Sequence, residues 1–518
     1  MSLFKSASTV SLLTLLSRIT GLARDLLMAY VFGVSGLTDA FNVAFRIPNL
    51  LRRLFAEGAF SQAFVPVLAT TRARDGDEST RALIDAVATV LAWIVLLASV
   101  VGVAMAPAFV WALASGLDPH SFDAGVVMTR WMFPYIACMS LVALSAGVLN
   151  TWRHFAVPAA TPVLLNIAMI LAAWLGAPWF ERLGLEPIYV MALGVMAGGI
   201  LQLAFQLPVL WRLGLLPRIG LAPARIRAGW RHPGVQQVLT LMLPALLGVG
   251  VAQLSLLINT QIASWLAVGS VTWLFYADRL MEFPAALLGV ALGVVLTPRL
   301  AGAHASGDKA AYSQMLDWGL RLVLLLALPC AVALLTFAEP LIAVLFHYGR
   351  FSGSDVERSA FALTFYGIGL LGLVAVKVLA PGYYASLDIR TPVKIAVVVL
   401  IVTQMFNVIF VPFLQHAALT LSISLGALIN ATWLLLGLLK RGSYRPGSGW
   451  RAFIVRVLLA TAVLGLFLAW ANHHFDWLAL PAAQRVGLVA LIVAASGLLY
   501  FGSAALFGIR LRQLVQRG

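Results

Sequence analysis

The stretch SRITGLARDLLMAYVFGVSGLTDAFNVAFRIPNLLRRLFAEGAFSQAFVPVL, residues 17–68, combines apolar helices of membrane length with an unusual density of charge. A charge at bilayer depth is costly, so it normally faces a protein-lined cavity and marks the pathway of a substrate or an ion. Most of these charges are arginines, whose guanidinium group matches the geometry of phosphate. The stretch therefore predicts a cavity for an anionic, phosphate-bearing cargo. Its eight charged residues are Arg18, Arg24, Asp25, Asp39, Arg46, Arg52, Arg53 and Glu57.

The composition of the whole chain indicates a polytopic helical membrane protein. Of its 518 residues, 61% are hydrophobic and only 11% are charged. Apolar runs of membrane-spanning length recur from end to end, which argues against a soluble protein with a very large core. Arg18 and Arg24 interrupt the first apolar run and no small-residue cleavage site follows it, so we expect no cleavable signal peptide.

The hydrophobic pattern predicts an all-α fold with about fourteen transmembrane helices. The predicted spans are 6–33, 39–68, 83–112, 126–149, 157–178, 187–210, 235–266, 271–301, 315–338, 360–384, 392–413, 418–439, 452–472 and 486–509.

The basic residues are concentrated in alternate loops. Loops on one side carry 21 of the 35 Lys and Arg residues, whereas the opposite loops carry only Arg182, Arg350, Arg358 and Arg485. Because cytoplasmic loops are enriched in Lys and Arg, both termini are predicted to be cytoplasmic. This placement explains the net charge of +15, so membrane lipids rather than nucleic acid are the expected partners.

Three pairs of landmarks indicate an internal duplication. Ala44-Phe45-Arg46 corresponds to Ala277-Asp278-Arg279, Thr161-Pro162-Val163 to Thr391-Pro392-Val393, and Arg212-Leu213-Gly214 to Lys440-Arg441-Gly442, at offsets of 233, 230 and 228 residues. Transporters commonly contain such repeats and bind their substrates between them. The predicted domains are an N-terminal six-helix bundle (1–211), a cytoplasmic linker (212–234), a C-terminal six-helix bundle (235–440) and two extra helices (441–518). The linker is compatible with a basic segment lying on anionic lipid and with a plain solvated connection.

Four arginines are the candidate substrate-binding residues: Arg18, Arg24, Arg52 and Arg279. Arg18 and Arg52 each lie about 20 Å along their helices, so they can meet at similar depth. Other charged and polar residues are candidates for a supporting role, and internal pairing is the alternative for several of them. These are Asp25, Asp39, Asn49, Arg53, Glu57, Asp278 and Glu282. Arg53 can pair with Glu57, Arg279 with Glu282, and Asp25 with Arg24 or with a neighbouring helix.

The sequence contains none of the motifs that would indicate an enzyme. It has no phosphate-binding glycine loop, no nucleophile elbow and no zinc-binding helix motif. Cys138 and Cys330 lie in apolar runs, and the single histidines His154, His304 and His416 have no metal-ligand spacing to a second His, Cys or carboxylate. We therefore predict no catalytic residue, no metal and no cofactor.

Six stretches of the chain together carry a resemblance to a known family. They are SRITGLARD (17–25), TDAFNVAFRIPNLLRRLFAEGAFSQAFVPVL (38–68), YADRLMEFP (276–284), DWGLRL (317–322), KVLAPGYYA (377–385) and TPVKIA (391–396). In this order, over nearly the whole chain, they resemble the MurJ/MviN family, which consists of lipid II flippases in the multidrug/oligosaccharidyl-lipid/polysaccharide exporter superfamily.

The resemblance implies fourteen helices in two lobes around a central cationic cavity, with a groove for the lipid tail beside the last two helices. It implies that the cargo is lipid II, an undecaprenyl-pyrophosphate carrying a disaccharide-pentapeptide. The protein is expected to flip this lipid to the periplasmic leaflet of the bacterial inner membrane by alternating access. The flipped lipid would serve peptidoglycan synthesis, cell wall biogenesis and cell shape. Proteins of cell-wall synthesis are candidate partners. The arginines that the family requires match Arg18, Arg24, Arg52 and Arg279, and its acidic positions match Asp39 and Glu57.

Three alternatives remain at this point. A cation-coupled exporter of drugs, or of other polyprenyl-linked oligosaccharides, would share the fold, and a non-transporting membrane scaffold would not need buried charge.

Some relatives bind sodium through spans 7, 11 and 12. Those spans contain no Asp or Glu here, which argues against a sodium site and favours the membrane potential as the energy source.

Overall fold

The computed structural model describes the backbone of residues 3–52 and 59–509. Side chains are described in these ranges except at 3–7, 51–52, 59, 243–252, 290–291 and 294. All regular secondary structure in this described part is helical. The prediction of an all-α protein is therefore confirmed.

Internal contacts divide the chain into two compact units, Met1–Gly269 and Ser270–Gly518. The helices of the first unit are α1 (Leu3–Phe32), α2 (Gly36–Arg52), α3 (Ala59–Ala104), α4 (Ala106–Ala114), α5 (Pro119–Met132), α6 (Tyr135–Thr151), α7 (Ala156–Leu171), α8 (Ala177–Arg182), α9 (Tyr189–Arg212), α10 (Pro223–Arg231) and α11 (Pro233–Ser264). A π-helical turn, Ala172–Gly176, joins α7 to α8.

The second unit begins directly after Gly269. Its helices are α12 (Ser270–Ala305), α13 (Lys309–Thr336), α14 (Ala338–Phe346), α15 (Gly353–Ala385), α16 (Arg390–Leu414), α17 (Ala417–Lys440), α18 (Trp450–His474) and α19 (Ala482–Leu506).

Ten helical segments in the described part are long and apolar enough to cross a membrane. They correspond to the predicted spans 3–6 and 9–14. The other four predicted spans, 6–33, 39–68, 235–266 and 271–301, each include residues whose side chains lie outside the described set. The membrane-protein class is confirmed, and the count of fourteen stays a prediction.

Glycine and proline account for the main differences from the predicted boundaries. Gly76 has φ 79° and ψ −173°, so α3 consists of two helical stretches that meet there, and the predicted loop 69–82 is largely helical. The predicted span 126–149 is divided between α5 and α6 at residues 133–134, where Pro134 has no N–H for a helical hydrogen bond.

The first unit has an apolar core in which helices distant in sequence meet. Helix α1 packs on α7, α7 on α9, α2 on α5, and α3 on α6 and α11. Phe41, Met128, Tyr135 and Met169 lie in one buried cluster of this core. Helix α11, which the sequence assigns to the C-terminal bundle, thus packs in the first unit. The predicted domains describe a duplication in the sequence, and packing does not test a duplication. They therefore stay a prediction.

Helix α15 is central to the second unit, where it packs against α12, α13 and α17. Two glycines permit its close approach to α17. A Cβ atom at Gly369 would lie 2.3 Å from the Ser424 Cα atom, and one at Gly372 would lie 2.7 Å from the Ala427 carbonyl carbon. Small residues commonly allow such close contact between membrane helices.

Candidate functional site

Arg24 and Asp25 form a buried ion pair on α1. The Arg24 Nε and Nη2 atoms donate to Asp25 Oδ1 at 2.9 and 2.7 Å, and the two residues are only 6% and 1% exposed. The predicted pairing of Asp25 with Arg24 is confirmed. Because a buried charge without a partner is strongly destabilising, the carboxylate compensates the guanidinium inside the protein.

Asn166 of α7 completes this charged cluster. Arg24 Nη1 donates to Asn166 Oδ1 at 3.1 Å, while Asn166 Nδ2 donates to the Ser17 carbonyl at 3.1 Å and to Thr20 Oγ1 at 3.2 Å. One amide side chain thereby binds both the guanidinium and the backbone of α1. This contact fixes where Arg24 lies relative to α7.

Arg18 lies in a different environment on the same helix. It is exposed, and it has no hydrogen bond or ion pair with any side chain in the described part of the chain. Six residues at 100° per residue place Arg18 and Arg24 on different faces of α1. Arg18 is therefore available to an anionic ligand in this structure, whereas Arg24 is engaged by Asp25.

Asp39 and Arg46 connect α2 to the end of the first unit. The buried Asp39 Oδ2 atom accepts a hydrogen bond from the Gly269 amide at 2.7 Å. Arg46 Nη1 donates to the Leu256 carbonyl at 3.3 Å and to Thr260 Oγ1, both on α11. Through these contacts both residues hold α2 against α11 and the segment that follows it.

The remaining candidates of this region are described only in part. Asn49 is half-buried in α2. Arg52 ends α2, but its side chain lies outside the described set. Arg53 and Glu57 lie outside the described residues altogether, and their predicted pairing stays a prediction.

In the second unit, two candidate residues on α12 form an ion pair. Arg279 Nη1 lies 3.7 Å from Glu282 Oε2, with 36% and 53% of their side chains exposed. The predicted pairing is confirmed, although a pair this exposed contributes little to stability. The neighbouring Asp278 Oδ1 atom accepts a hydrogen bond from the Tyr366 hydroxyl of α15.

An apolar cleft of about 540 Å³ lies between α13 and α18. Val332 and Thr336 of α13 and Leu458, Gly465 and Leu466 of α18 are among its lining residues. Its lining suits a hydrocarbon chain rather than a charged group. The cleft lies beside α18, the first of the two C-terminal helices beside which the family resemblance implies a groove for the lipid tail.

Asn166, which is the partner of Arg24, was not predicted from the sequence. The available signal was a single amide within the apolar stretch VLLNIAMIL, residues 163–171. Asp317 of α13 was not predicted as a functional or structural site either. This residue accepts hydrogen bonds from Tyr444, from the Gly447 amide and from Arg321, and so holds the loop before α18.

Comparison with known proteins identifies the family. The family model described as "Lipid II flippase MurJ" matches residues 28–484, which is most of the chain. The chain belongs to this family. Members of the MurJ family are named as transporters of a lipid rather than as enzymes.

Two relatives show how far the similarity to the MurJ family extends. The lipid II flippase MurJ of Burkholderia cenocepacia is 53% identical over 514 residues, which cover 98% of each chain. The probable lipid II flippase MurJ of Vibrio cholerae is 39% identical and covers 99% of this chain and 97% of its own.

Solved structures support the same fold. A lipid II flippase MurJ in an inward closed conformation has a TM-score of 0.79 at 23% identity and covers 98% of this chain and 99% of its own. An inward-facing multidrug resistance MATE transporter of the MOP superfamily has a TM-score of 0.66 at 15% identity, with 82% and 94% covered. These likenesses show that the fold is shared with the wider superfamily.

Proposed function

We propose that this chain flips lipid II from the cytoplasmic to the periplasmic leaflet by alternating access. The observation that carries the proposal is membership of the lipid II flippase family over residues 28–484. A pyrophosphate headgroup cannot cross about 30 Å of hydrocarbon unaided, because charge at that depth is costly. The drug exporter and the scaffold are not favoured, because near full-length relatives carry the flippase name.

Arg18, Arg24, Arg52 and Arg279 are the proposed contacts of the pyrophosphate. Charge-assisted hydrogen bonds from guanidinium groups replace the water that the headgroup loses. Two observations support this role: Arg18 is exposed without a described partner, and Arg24 already binds one anionic group, the Asp25 carboxylate. In this proposal the pyrophosphate takes the place of that carboxylate when Arg24 binds the cargo.

The polar neighbours of these arginines have supporting roles in the proposal. Asp25 and Asn166 hold Arg24 when cargo is absent, and Asp39 holds the start of α2. Glu282 is the acidic neighbour of Arg279, in a longer and more exposed pair than that of Asp25 with Arg24. We assign the polyprenyl tail to the apolar cleft between α13 and α18.

We further propose fourteen spans in two bundles with two appended helices, and a location in the bacterial inner membrane with both termini cytoplasmic. The asymmetric distribution of Lys and Arg over the loops supports this orientation. The same orientation puts the linker between α9 and α11 on the cytoplasmic side.

A complementation experiment tests the assignment of the arginines. In a strain whose only lipid II flippase is this chain, Arg18→Ala is expected to abolish growth while the protein stays in the membrane. Arg18→Lys is expected to be impaired as well, because an ammonium group lacks the planar fork that binds phosphate. Arg130→Ala, which removes an exposed arginine from α5, is the matched control and should grow. Normal growth of the Arg18→Ala strain would contradict the assignment.

A further inference from the structure

The linker between α9 and α11 is bound along α3 by a stripe of polar side chains. Asp85 Oδ1 accepts a hydrogen bond from the Arg218 amide at 2.8 Å, and Thr89 Oγ1 accepts one from the Gly220 amide at 2.9 Å. Trp93 Nε1 donates to the Gly220 carbonyl at 3.0 Å. The three α3 residues lie four apart and therefore share one face of the helix. The linker is consequently fixed to the first unit.

Helix α10 continues this attachment. Gly229 is buried against α3, where an added Cβ atom would lie 3.2 Å from Val90 Cγ2 and 3.4 Å from the Ala86 carbonyl oxygen. A larger residue at this position would require Val90 or α10 to shift slightly. The side of α10 that carries Gly229 thus faces the protein, and the other residues of α10 are exposed except the half-buried Ile226.

The large exposed side chains of the linker are basic or apolar. Leu221 is 77% exposed and Trp230 is 40% exposed. Residues 212–234 contain no Asp or Glu, so no acidic side chain within the segment compensates its arginines. We call this exposed set the linker surface; it consists of Leu216, Arg218, Ile219, Leu221, Arg225, Arg227, Trp230 and Arg231.

We propose that the linker surface binds anionic phospholipid headgroups of the leaflet beside it. Arginines attract and hydrogen-bond lipid phosphates, while leucine, isoleucine and tryptophan side chains enter the boundary between headgroups and acyl chains. Charge complementarity selects anionic over zwitterionic lipid, and the exposed apolar side chains select a membrane over a soluble polyanion. Because the linker is hydrogen-bonded to α3, this binding anchors the first unit to the leaflet.

The test places a probe on α10 of the full chain. A nitroxide is attached at Ala228→Cys, an exposed position, after Cys138→Ala and Cys330→Ala remove the native thiols. The protein is reconstituted in nanodiscs of phosphatidylcholine alone or of phosphatidylcholine mixed with phosphatidylglycerol. Electron paramagnetic resonance measures the collision of the nitroxide with lipid-soluble oxygen and with a water-soluble nickel chelate.

The expected result is a higher ratio of oxygen to nickel collisions when phosphatidylglycerol is present. Replacing Arg225, Arg227 and Arg231 with Gln should return this ratio to its value in phosphatidylcholine. The control replaces three exposed arginines of other inner loops, Arg390, Arg445 and Arg451, with Gln and should leave the ratio unchanged.

Two results would overturn the proposal. One is a collision ratio that is the same in both lipid compositions, as a solvated linker or a purely apolar contact would give. The other is an equal loss in the control variant, which would show an effect of net charge rather than of the linker surface. The first comparison uses intact arginines, so it does not depend on the folding of the glutamine variants.

Discussion

At the scale of single residues, the Arg24 side chain must satisfy two requirements, burial inside the first unit and the proposed binding of cargo. In the proposed function the Arg24 guanidinium binds a pyrophosphate and must therefore stay charged, yet Arg24 is only 6% exposed in the interior of the first unit. The adjacent carboxylate and the Asn166 amide supply the missing solvation. If Arg24 binds the cargo as proposed, the stability of the first unit and the binding of cargo depend on the same arginine, and mutations can separate the two effects.

Removing only the carboxylate should be costly. Asp25→Ala leaves the Arg24 charge buried without its ionic partner, and breaking such a pair costs about 3–5 kcal/mol. We expect a lower thermal unfolding midpoint for purified Asp25→Ala. Adding Arg24→Leu should recover most of the lost stability without restoring transport. A midpoint for Asp25→Ala equal to that of the native chain would show that the pair is not formed.

Contacts between residues close in sequence could be predicted, whereas contacts between distant residues could not. The pairs Arg24–Asp25 and Arg279–Glu282 are local, so their sequence spacing was sufficient. Asn166 and Arg24 are separated by 142 residues of sequence, and the residues around each of them do not indicate that the two side chains meet. Arg18 is exposed and Arg24 is buried because they lie on different faces of α1, but predicting this difference requires knowing that α7 packs against one of those faces.

At the scale of elements, the contact between α15 and α17 depends on glycine. Gly369 and Gly372 bring α15 against the backbone of α17, and a methyl group at either position would meet backbone atoms that cannot rotate away. The sequence predicts both helices from their apolar runs, but it does not show which glycines lie in a contact. At Gly302 of α12, for example, an added Cβ atom would have no neighbouring atom within 4 Å.

This difference gives a matched pair of variants. Gly369→Ala should lower the free energy of unfolding by about 1–3 kcal/mol, as is usual for overpacking. Gly302→Ala should be neutral or slightly stabilising, since alanine favours a helix more than glycine does. Thermal unfolding of both purified variants measures the effect. Equal midpoints for the two would contradict the close packing of α15 on α17.

The connection between α15 and α16 contains a carboxylate that is sensitive to pH. Asp388 accepts hydrogen bonds from the Thr391 hydroxyl at 2.7 Å, from its amide at 2.9 Å, and from Arg441 Nη1 at 2.6 Å. In order of size, the Thr391 bonds and the Arg441 bond lower the pKa of Asp388 from 3.8 to about 2. Because the folded-state pKa is depressed, the stabilisation is complete above pH 3.8 and is lost as the pH falls toward 2.

We therefore expect the difference in thermal midpoint between the native chain and Asp388→Asn to be constant near neutral pH and to shrink below pH 3.8. Thermal unfolding as a function of pH measures this difference. Asp77→Asn, which removes an exposed carboxylate, is the control for the loss of one negative charge. A difference that grows as the pH falls would contradict the assigned direction of the pKa shift.

At the scale of the whole molecule, sequence periodicity was enough for the fold class. Long apolar runs predict membrane helices well because each must satisfy its own backbone hydrogen bonds in lipid. The kink at Gly76 and the attachment of the linker to α3 were not predicted. The linker contacts join residues about 130 positions apart, such as Asp85 and Arg218, which only the folded chain brings together.

The distribution of charged residues over the helices also indicates which gradient supplies the energy for transport. Helices α11, α16 and α17 contain no Asp or Glu, so they lack the carboxylate that a sodium ion often requires. The proposed binding residues are cationic, and the membrane potential acts on each elementary charge with about 2.3 kcal/mol per 100 mV. We predict that transport depends on the membrane potential and not on sodium. The check is to collapse each gradient separately in vesicles, and loss of transport on removing sodium at constant potential would refute the prediction.

The central claim is that this chain moves lipid II between leaflets, and the accessibility of lipid II at the periplasmic surface tests it most directly. The measurement uses cells in which this chain is the only flippase and can be depleted, with an impermeant enzyme that cleaves lipid II exposed outside. We predict that depletion leaves lipid II accumulated and protected from cleavage, and that the native chain restores cleavage whereas Arg18→Ala does not. Undiminished cleavage after depletion would contradict the account.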